Sequence, residues 1–575
     1  VRDSVYRNAD KSLGIDLVIN EGRKYYFRNI NWVGNTIYNT EFLDAVLGIQ
    51  KGDVYNQRVL DANLSYNPNG TDITSLYMDR GYLFFNVMPV EVFIENDSID
   101  LEMRIYEGEQ ARINKVSISG NNRTNDHVVI RELRTRPGQL FSRDNLIRTQ
   151  RELAQLGYFD AEKIVPTPIP NPADNTVDIE YKVEETSSDQ IELSGGWGYG
   201  RLIGTLGLKF SNFSARNLFN KKAWRPVPTG DGQELSVRFQ TYGQDFYNLS
   251  TTFTEPWLGG KKPNRLSVSY FFSKYSSYTT TETAQKPTLT INGITVSLGK
   301  RLTWPDDFFQ LTQAVNLHRY STKNYQGILP VKDDGNGSYN KLSYQLTLMR
   351  NSVSQPIYPR TGSSIMASME LSPPYSLFSN KDYSTLPDGE KFKWMEFHKW
   401  RFQTEYFKTI TGDLVFMARS KYGFIGAYNN DIGVMPFDRF FVGGDGMAGY
   451  QNFDGREQIG FRGYTNNSLN ALGANGQPQG AAIYNKNTLE LRYPLSLNPS
   501  ATIFVLGFAE AGNTWAGFRE FGPFNLYRSA GVGVRIFLPI FGVLGLDWGY
   551  GFDEVPGMPS AGKSQFHFSI NNSID

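Results

Sequence analysis

The sequence of 575 residues contains no cysteine, which excludes a disulfide framework, zinc–thiolate sites and thiol chemistry. It has no excess of either charge, because 58 Lys and Arg balance 58 Asp and Glu, and this balance gives no indication of a nucleic-acid partner. Its four histidines lack the spacing of metal ligands. The composition therefore predicts no metal site, no other cofactor and no nucleic-acid binding.

Long apolar runs are also missing. The most apolar stretch, residues 536–546, contains Pro539 and is too short for a transmembrane helix, which needs about 20 residues. The start, "VRDSVYRN", has no signal-peptide features and predicts a mature form or a fragment. The negative mean hydropathy leaves a membrane β-barrel open, because its strands are apolar on one face only.

Catalytic motifs are absent as well. Gly444, Gly446 and Gly449 fit a GxGxxG pattern, but they lie among loop signals rather than between a strand and a helix. The sequence contains neither a Walker loop nor a GxSxG motif. It therefore predicts a protein that is not an enzyme.

An internal repeat organises the first third of the chain. The pair Gly34-Asn35 precedes Gly120-Asn121 by 86 residues, and Gly52 precedes Gly138 by the same distance. The endings "IDLEMRIYEGE" and "VDIEYKVEET" also correspond, and residues 15–23 form a third such ending. The repeat predicts a C-terminal remnant of a preceding domain at 1–22 and complete domains at 23–109 and 110–187.

Each repeat predicts an α+β module with the order strand, helix, helix, strand, strand. Alternation in "RINKVSIS" is typical of a half-buried strand. Leu146, Leu153 and their neighbours have near-helical spacing, with Ser142 as the N-cap. Two functions remain open for these modules: structural spacers, or binders of extended peptides along an unpaired sheet edge.

The remainder, residues 188–575, predicts an all-β domain. Alternating segments such as "ELSVRFQTYG" and "QFHFSI" are separated by turn residues. In "QFHFSI", Phe566, Phe568 and Ile570 share one face, as in an outer-membrane β-barrel. At about 9–11 residues for each spanning strand, about 16 antiparallel strands fit this length. A soluble sandwich or propeller is the alternative.

The motifs together resemble a known family. Repeats of the type "GN…G…Y…GY…EG" look like polypeptide-transport-associated (POTRA) domains, and the later part contains "FVGGDG", "FRGY", "NTLELRYPL" and "GFAEAGNTW" in order. This order resembles the BamA family of outer-membrane protein assembly factors, in a Bacteroidota-like form. The resemblance implies α+β POTRA repeats followed by a transmembrane β-barrel of about 16 antiparallel strands.

The resemblance also implies a function and a location. The family folds and inserts client β-barrels through a lateral seam between its first and last strands, as the central subunit of the barrel assembly machinery. The implied location is the bacterial outer membrane, with POTRA domains in the periplasm. The implied partners are unfolded outer-membrane proteins, periplasmic chaperones, accessory lipoproteins, the lipid bilayer and lipopolysaccharide.

The central candidate site is the loop motif "FRGY". In the family, the arginine of this motif folds into the barrel lumen and pairs with acidic residues of later strands. Its residues here, which would form the lumen motif, are Phe461, Arg462, Gly463 and Tyr464. For an arbitrary Arg-Gly pair, a solvent-exposed loop arginine is the alternative.

Two acids match the family's partners of this arginine, Glu490 and Glu510. Strand parity supports Glu490, because apolar Leu489 and Leu491 would face lipid and leave Glu490 inside. Parity is less clear for Glu510, because apolar Phe508 and its alternate neighbours lie on the same face. Glu490 is therefore the favoured partner, and Glu510 is retained as the second candidate.

The seam residues are inferred from the same resemblance. The first strand would contain glycines that weaken it, since glycine in a strand lacks side-chain packing; a bend or bulge is the alternative. The last strand would present apolar residues to lipid. The predicted seam residues are Gly195, Gly196, Gly198 and Gly200 in the first strand, and Phe566, Phe568, Ile570 and Ile574 in the last.

Other functions fit parts of the pattern. A TamA-like assembly protein and a two-partner-type translocation or secretion pore share the combination of POTRA domains and a barrel. A passive porin would leave the N-terminal repeats unexplained. The TamA-like and secretion functions are therefore retained as alternatives.

Overall fold

The computed structural model describes residues 2–8, 10, 12–18, 23–67, 70–186, 189–198, 201–224, 226–243, 245–276, 286–325, 335–355, 357–444, 456–470, 478–498, 501–538 and 542–570. The chain divides into two compact units, Val1–Ser188 and Asp189–Asp575. Among the described residues, no helix has the length and apolar character needed to cross a membrane.

The first unit contains a hairpin and two copies of one module. In each module the strand that comes last in the sequence lies at the centre of the sheet. It pairs in parallel with the first strand on one side and antiparallel with the second strand on the other. The elements are β1 (Arg2–Arg7) and β2 (Leu13–Val18) in the hairpin; β3 (Tyr26–Val33), α1 (Thr40–Leu47), α2 (Gln57–Asp61), α3 (Ile73–Met78), β4 (Asn86–Glu95) and β5 (Ser98–Tyr106) in the first copy; and β6 (Arg112–Ser119), α4 (Asp126–Ile130), α5 (Arg143–Gln155), β7 (Val165–Asn171) and β8 (Thr176–Lys182) in the second.

The helices follow the predicted pattern, with one difference between the copies. Ser142 caps α5, because its side chain accepts a hydrogen bond from the backbone N–H of Asn145, and Leu146 and Leu153 are buried. In the first copy the corresponding region is interrupted: α2 continues into a π-helical turn at Ala62–Tyr66, and α3 begins only at Ile73. The insertion in this copy therefore splits one helix into two.

The repeated glycines mark a close approach between strands. Gly34 and Gly120 have φ of +93° and +97°, a region that favours glycine. A Cβ atom at either position would collide with a backbone carbonyl oxygen, that of Ile105 or Val183. Both modules therefore use glycine where the chain leaves the first strand beside the last one.

The second unit is one 16-stranded antiparallel sheet. Strands adjacent in sequence pair with each other except where a long segment separates β19 from β22. The sheet strands are β9 (Gln190–Gly198), β10 (Arg201–Phe213), β11 (Gln233–Tyr242), β12 (Phe246–Glu255), β13 (Asn264–Ser276), β14 (Thr288–Arg301), β15 (Phe309–Lys323), β16 (Gly337–Asn351), β17 (Gly362–Leu371), β18 (His398–Thr411), β19 (Leu414–Gly426), β22 (Ile483–Asn498), β23 (Ala501–Trp515), β24 (Tyr527–Leu538), β25 (Gly542–Gly551) and β26 (Lys563–Ile570); a short helix, α6 (Asp388–Lys391), precedes β18.

Residues 436–444 and 456–470, between β19 and β22, lie inside the curled sheet. They contain β20 (Phe440–Val442) and β21 (Glu457–Ile459), which pair in parallel. Their side chains contact β16 and β18 on one side and β22, β23 and β25 on the other. The sheet therefore curls around them as a β-barrel, and we call residues 436–444 and 456–470 the lumen segment.

Most side chains of β22 alternate between the outer face and the lumen face of the sheet, as predicted. Leu489 and Leu491 are about half exposed at 50% and 49%, whereas Glu490 is buried at 4%. On β23, however, an apolar-outward pattern fails, because Phe504, Leu506 and Phe508 are buried on the lumen face with Glu510. Phe504 and its neighbours pack with Tyr358 and Val415, so this part of the lumen has its own apolar core.

Candidate functional site

The motif "FRGY" forms a buried turn at the end of the lumen segment. Phe461, Arg462 and Tyr464 are each 0% exposed. The backbone N–H of Phe461 donates to the carbonyl oxygen of Gly444, which fixes the turn to the end of the first stretch of the segment, residues 436–444. A fully buried arginine is rare unless it is paired, so its partners define the site.

Arg462 binds three carboxylates on three strands. Its Nε and Nη2 atoms donate to Glu510 Oε1 at 2.9 and 2.7 Å, and Nη2 also donates to Glu490 Oε1 at 2.7 Å. Its Nη1 lies 3.4 Å from Asp547 Oδ1 on β25. The guanidinium carbon lies 3.6 Å from the ring centroid of Phe508, a cation–π contact.

The backbone of Arg462 adds a further bond to the same acid. Its N–H donates to Glu510 Oε2 at 2.9 Å, so Glu510 holds both the side chain and the main chain. Charge-assisted hydrogen bonds of this kind are about twice as strong as neutral ones. Glu510 thus fixes the conformation of the turn as well as the position of the guanidinium.

Additional cations balance the acids. Lys486 Nζ lies 3.2 Å from Glu510 Oε1. Arg492 Nη2 lies 2.7 Å from Glu490 Oε2, and Arg535 Nη1 lies 3.0 Å from Asp547 Oδ1. Buried charges need such partners, because the desolvation of an unpaired ion is costly. We call Arg462, Glu490, Glu510, Asp547 and these three cations the arginine cluster.

Strand register explains why the acids converge. Thr488 lies opposite Glu510, and Glu490 lies opposite Phe508, so the two glutamates occupy neighbouring positions on one face of β22 and β23. The sequence-based choice between Glu490 and Glu510 therefore has a simple outcome in the structure, since Arg462 contacts both. Asp547, Lys486, Arg492 and Arg535 were not among the predicted partners. The contact of Asp547 with Arg462 depends on the position of the folded turn, whereas the three cations meet their acids within the strands of the wall.

Glycines bring the turn close to the barrel wall. Gly463 has φ of +84°, and a Cβ atom there would lie 2.9 Å from the backbone N of Gly551 and the Cβ of Ser529. Conversely, a Cβ atom at Gly549 would lie 2.7 Å from the N of Gly463. Side chains larger than hydrogen at these positions would push the turn away from β24 and β25.

Tyr464 completes the turn. Its hydroxyl donates to the carbonyl oxygen of Arg528 at 2.9 Å and accepts from the N–H of Asp553 at 3.3 Å. Its ring makes edge contacts with Phe461 and Tyr527. The four predicted motif residues therefore contact the wall formed by β22–β26 and the loops that join those strands.

A second ionic cluster holds the other side of the lumen segment. Lys399 Nζ lies 2.6 Å from Glu457 Oε2 and donates to the carbonyl oxygen of Asp438 at 2.8 Å. Arg401 also binds Glu457, through Nε at 3.0 Å and Nη2 at 2.8 Å. Lys341 bridges Glu370 Oε1 and Asp438 Oδ1 at 3.1 and 3.3 Å. We call these six residues the lysine cluster.

The lysine cluster was not predicted from the sequence. The alternation of "HKWRF" places Lys399 and Arg401 on one strand face, which is a signal for lumen-facing charges. It does not identify their partner Glu457, which lies 56 residues from Arg401 along the chain. The lumen segment is thus held by charges on two sides, although only one side carries a recognisable motif.

The predicted seam strands lie at the two ends of the strand order. Gly195, Gly196 and Gly198 belong to β9, which pairs with β10. On β26, Phe566 and Phe568 are exposed and Ile570 pairs with Leu544. Gly200 and Ile574 lie outside the described residues.

Two sequence families match the chain. The Omp85 superfamily domain matches residues 229–574. POTRA, described as a surface antigen variable number repeat, matches residues 25–108 and 111–186. These two matches fall on the two units of the fold, with the repeat matches on its two modules.

Curated relatives carry assembly-factor names. Outer membrane protein assembly factor BamA of Neisseria meningitidis is 23% identical over 535 residues, covering 89% of this chain and 60% of that protein. A putative outer membrane protein assembly factor of Treponema pallidum is 26% identical over 255 residues, covering 44% of this chain and 28% of that protein. The chain thus spans less than two thirds of the length of either relative.

Solved structures show the same fold. BamA from Haemophilus ducreyi lacking POTRA domains 1–3 has a TM-score of 0.60 at 16% identity, covering 95% of this chain and 99% of that chain. CdiB from Escherichia coli has a TM-score of 0.52 at 12% identity, covering 96% and 90%. Because the superfamily pattern covers more than half of the sequence, this chain belongs to the Omp85 superfamily, as an outer-membrane protein in which periplasmic POTRA repeats precede a 16-stranded β-barrel.

Proposed function

We propose that this protein is an outer-membrane protein assembly factor that folds and inserts client β-barrels at the seam between β9 and β26. The observation that carries the proposal is the pair of sheet ends. In the described strand order, β9 pairs only with β10, and β26 pairs only with β25. An edge with free backbone groups is a template for strand addition.

Such a template addresses the main barrier to insertion. A client strand that enters hydrocarbon with unpaired N–H and C=O groups loses several kcal/mol for each group. Pairing with β9 or β26 supplies partners for one edge of the client during entry. The step requires no ATP, because the backbone bonds of the client barrel are themselves favourable once formed.

Strand lengths support insertion at this place. Within the described residues, β9 has nine residues and β26 has eight, whereas β15 and β16 have 15 each. At about 3.3 Å per residue, the described part of the wall beside the seam is shorter than the opposite wall. A short wall favours a locally thinner bilayer, which lowers the cost of admitting a client strand.

The glycines of β9 support a weakly held edge. Gly195 lies opposite Gly204 of β10, so neither strand offers a side chain for packing at this pair. Gly196 and Gly198 extend the same feature. We propose that β9 exchanges its neighbours readily, while the arginine cluster keeps the wall of β22–β25 in place.

The proposed partners follow from this function. They are unfolded outer-membrane proteins as clients, periplasmic chaperones that deliver them, accessory lipoproteins of a barrel assembly complex, and the lipids and lipopolysaccharide around the barrel. The POTRA domains are proposed at residues 23–109 and 110–187, before a barrel at 188–575. The antiparallel hairpin of β1 and β2 resembles the pairing of β4 with β5, and we propose that residues 1–22 are the end of a further POTRA domain.

The proposal is tested by depletion and by reconstitution. Depletion in the host is expected to lower the amounts of many unrelated outer-membrane proteins. Loss of a single exported substrate would instead support a secretion pore, which is the alternative that the fold of CdiB keeps open. In liposomes without ATP, the full chain is expected to accelerate the folding of a urea-unfolded client barrel.

A matched pair of variants tests the role of the seam. Gly195→Val adds β-branched packing to β9 and is expected to slow client folding severalfold. Gly507→Val is the control, because Gly507 lies in β23 and an added Cβ there meets no atom within 4 Å. Equal client-folding rates for the two variants would contradict insertion at β9.

A further inference from the structure

The last strand contacts the lumen segment through a histidine. On β26, His567 and Ser569 are buried toward the lumen, while Phe566 and Phe568 are exposed on the other face. The backbone N–H of Gly463, in the "FRGY" turn, donates to Nε2 of His567 at 2.9 Å. A contact between the lumen segment and a seam strand thus spans 104 residues of sequence.

The hydrogen bond fixes the chemical form of the imidazole. For Nε2 to accept, the ring must be neutral and carry its proton on Nδ1. The alternative tautomer and the protonated ring both place a hydrogen on Nε2, where it would oppose the N–H of Gly463. The geometry therefore favours one of three possible states of His567.

The donor in this bond is held firmly. The peptide N–H of the preceding residue, Arg462, is bonded to Glu510, and the Arg462 side chain is bound on β22 and β23. Gly463 itself lies against Gly549 and Gly551, where no Cβ fits. The N–H of Gly463 therefore has a fixed position relative to the wall that ends at β25.

The acceptor lies on a less restrained strand. In the described strand order β26 has one neighbour, β25, and their pairing covers Leu544↔Ile570 to Gly551↔Lys563. His567 lies near the middle of this pairing, opposite Asp547 of the arginine cluster. A bond at this point restrains the strand where backbone pairing is available from one side only.

We propose that His567 is a positioning residue that holds β26 against the lumen segment and thereby limits opening of the barrel edge. The bond from Gly463 transmits the rigidity of the arginine cluster to the last strand. Breaking it frees β26 to separate from the turn while the remaining wall keeps its structure. The consequence for client insertion rests on the proposed function, but the restraint itself does not.

Two substitutions separate the hydrogen bond from the bulk of the side chain. His567→Phe keeps a ring but removes the acceptor, whereas His567→Gln retains an acceptor oxygen near the place of Nε2. The readout is hydrogen–deuterium exchange of the full chain in lipid nanodiscs, resolved to peptides of β26 and of β15. We expect amides of β26 to exchange at least tenfold faster in His567→Phe, less than threefold faster in His567→Gln, and unchanged in β15.

Other outcomes of this experiment overturn the proposal. Wild-type protection of β26 in His567→Phe would show that the bond does not restrain the strand. Equal loss of protection in β26 and β15 would show a general packing defect instead. Client folding in liposomes is measured separately: faster exchange with an unchanged client-folding rate would count against insertion at the seam but not against the restraint.

A measurement on the unaltered protein covers the case in which His567→Phe does not fold. The chain has four histidines, so ¹⁵N-labelled imidazoles give few signals to assign. We expect the signal of His567 to report a neutral ring protonated at Nδ1, with Nε2 as a hydrogen-bond acceptor. A proton on Nε2 at neutral pH would overturn the proposal without any variant.

Discussion

The two sides of the lumen segment are held by different kinds of ionic cluster. In the arginine cluster, one guanidinium contacts three carboxylates, and its own backbone bonds one of them. In the lysine cluster, Glu457 of the segment has two cationic partners, Lys399 and Arg401. In the first cluster one residue of the segment, Arg462, makes the ionic contacts with the wall, whereas in the second Asp438 and Glu457 share them.

This difference has an energetic consequence. Removing one partner of a buried ion pair costs about 3–5 kcal/mol when it leaves charges uncompensated. Loss of Arg462 affects three acids together, but loss of Lys399 leaves Glu457 with its bidentate bond to Arg401. A single substitution is therefore expected to lower the free energy of unfolding by different amounts in the two clusters.

The largest effect is expected for Arg462→Ala. It leaves Glu490, Glu510 and Asp547 with fewer cations and removes the contact with Phe508, so the free energy of unfolding is expected to fall by about 3–5 kcal/mol. Urea unfolding of the full chain in detergent micelles measures this change. Arg519→Ala, at an exposed loop position, is the matched control and is expected to change stability by less than about 0.5 kcal/mol.

A smaller effect is expected for Gly463→Ala. The added Cβ would lie 2.9 Å from backbone atoms of Gly551 and Tyr550 in a conformation with φ of +84°. Gly433→Ala is the control, because Gly433 has φ of +72° but open space around an added Cβ. Both variants carry a left-handed backbone cost of about 1–2 kcal/mol, and Gly463→Ala is expected to lose about 1–3 kcal/mol more in the same unfolding assay.

Lys399→Met is expected to cost less than Arg462→Ala. The substitution removes an ammonium and its bond to the carbonyl oxygen of Asp438, while Arg401 still binds Glu457. We expect a loss of about 1–2 kcal/mol in unfolding free energy. A loss as large as that of Arg462→Ala would contradict the contrast between a single and a distributed anchor.

The smallest expected effect is the coupling free energy between the two clusters. Both clusters hold the same lumen segment, so releasing the segment by Arg462→Ala is expected to reduce the contribution of Lys399 to the free energy of unfolding. The double variant should therefore lose about 0.5–1 kcal/mol less than the sum of the single losses. Strict additivity would indicate that the two sides of the segment move independently.

The sequence predicted the elements that obey a local period. The helix capped by Ser142, the repeated strands, and the outward Leu489 and Leu491 all follow from spacing of 3.6 or 2 residues. The facing of β23 stayed undecided, because alternation does not say what fills the lumen. The assignment to a Bacteroidota-like branch stays a prediction.

The contacts across the lumen could not be predicted from local sequence patterns. Asp547, His567 and Glu457 meet the segment or its anchors across 56 to 104 residues of chain. Their roles depend on how deeply the turn enters the barrel, and that depth is set by close approaches at Gly463, Gly549 and Gly551. A single sequence shows these glycines but not the surface that they face.

A pair of double-mutant cycles compares how strongly the two clusters anchor the lumen segment. One cycle combines Arg462→Met with Glu510→Gln, and the other combines Lys399→Met with Glu457→Gln, each followed by urea unfolding. We expect a coupling free energy of at least about 2 kcal/mol for Arg462 with Glu510, larger than that for Lys399 with Glu457. A coupling free energy near zero for Arg462 with Glu510 would show that Arg462 does not anchor the lumen segment through this acid.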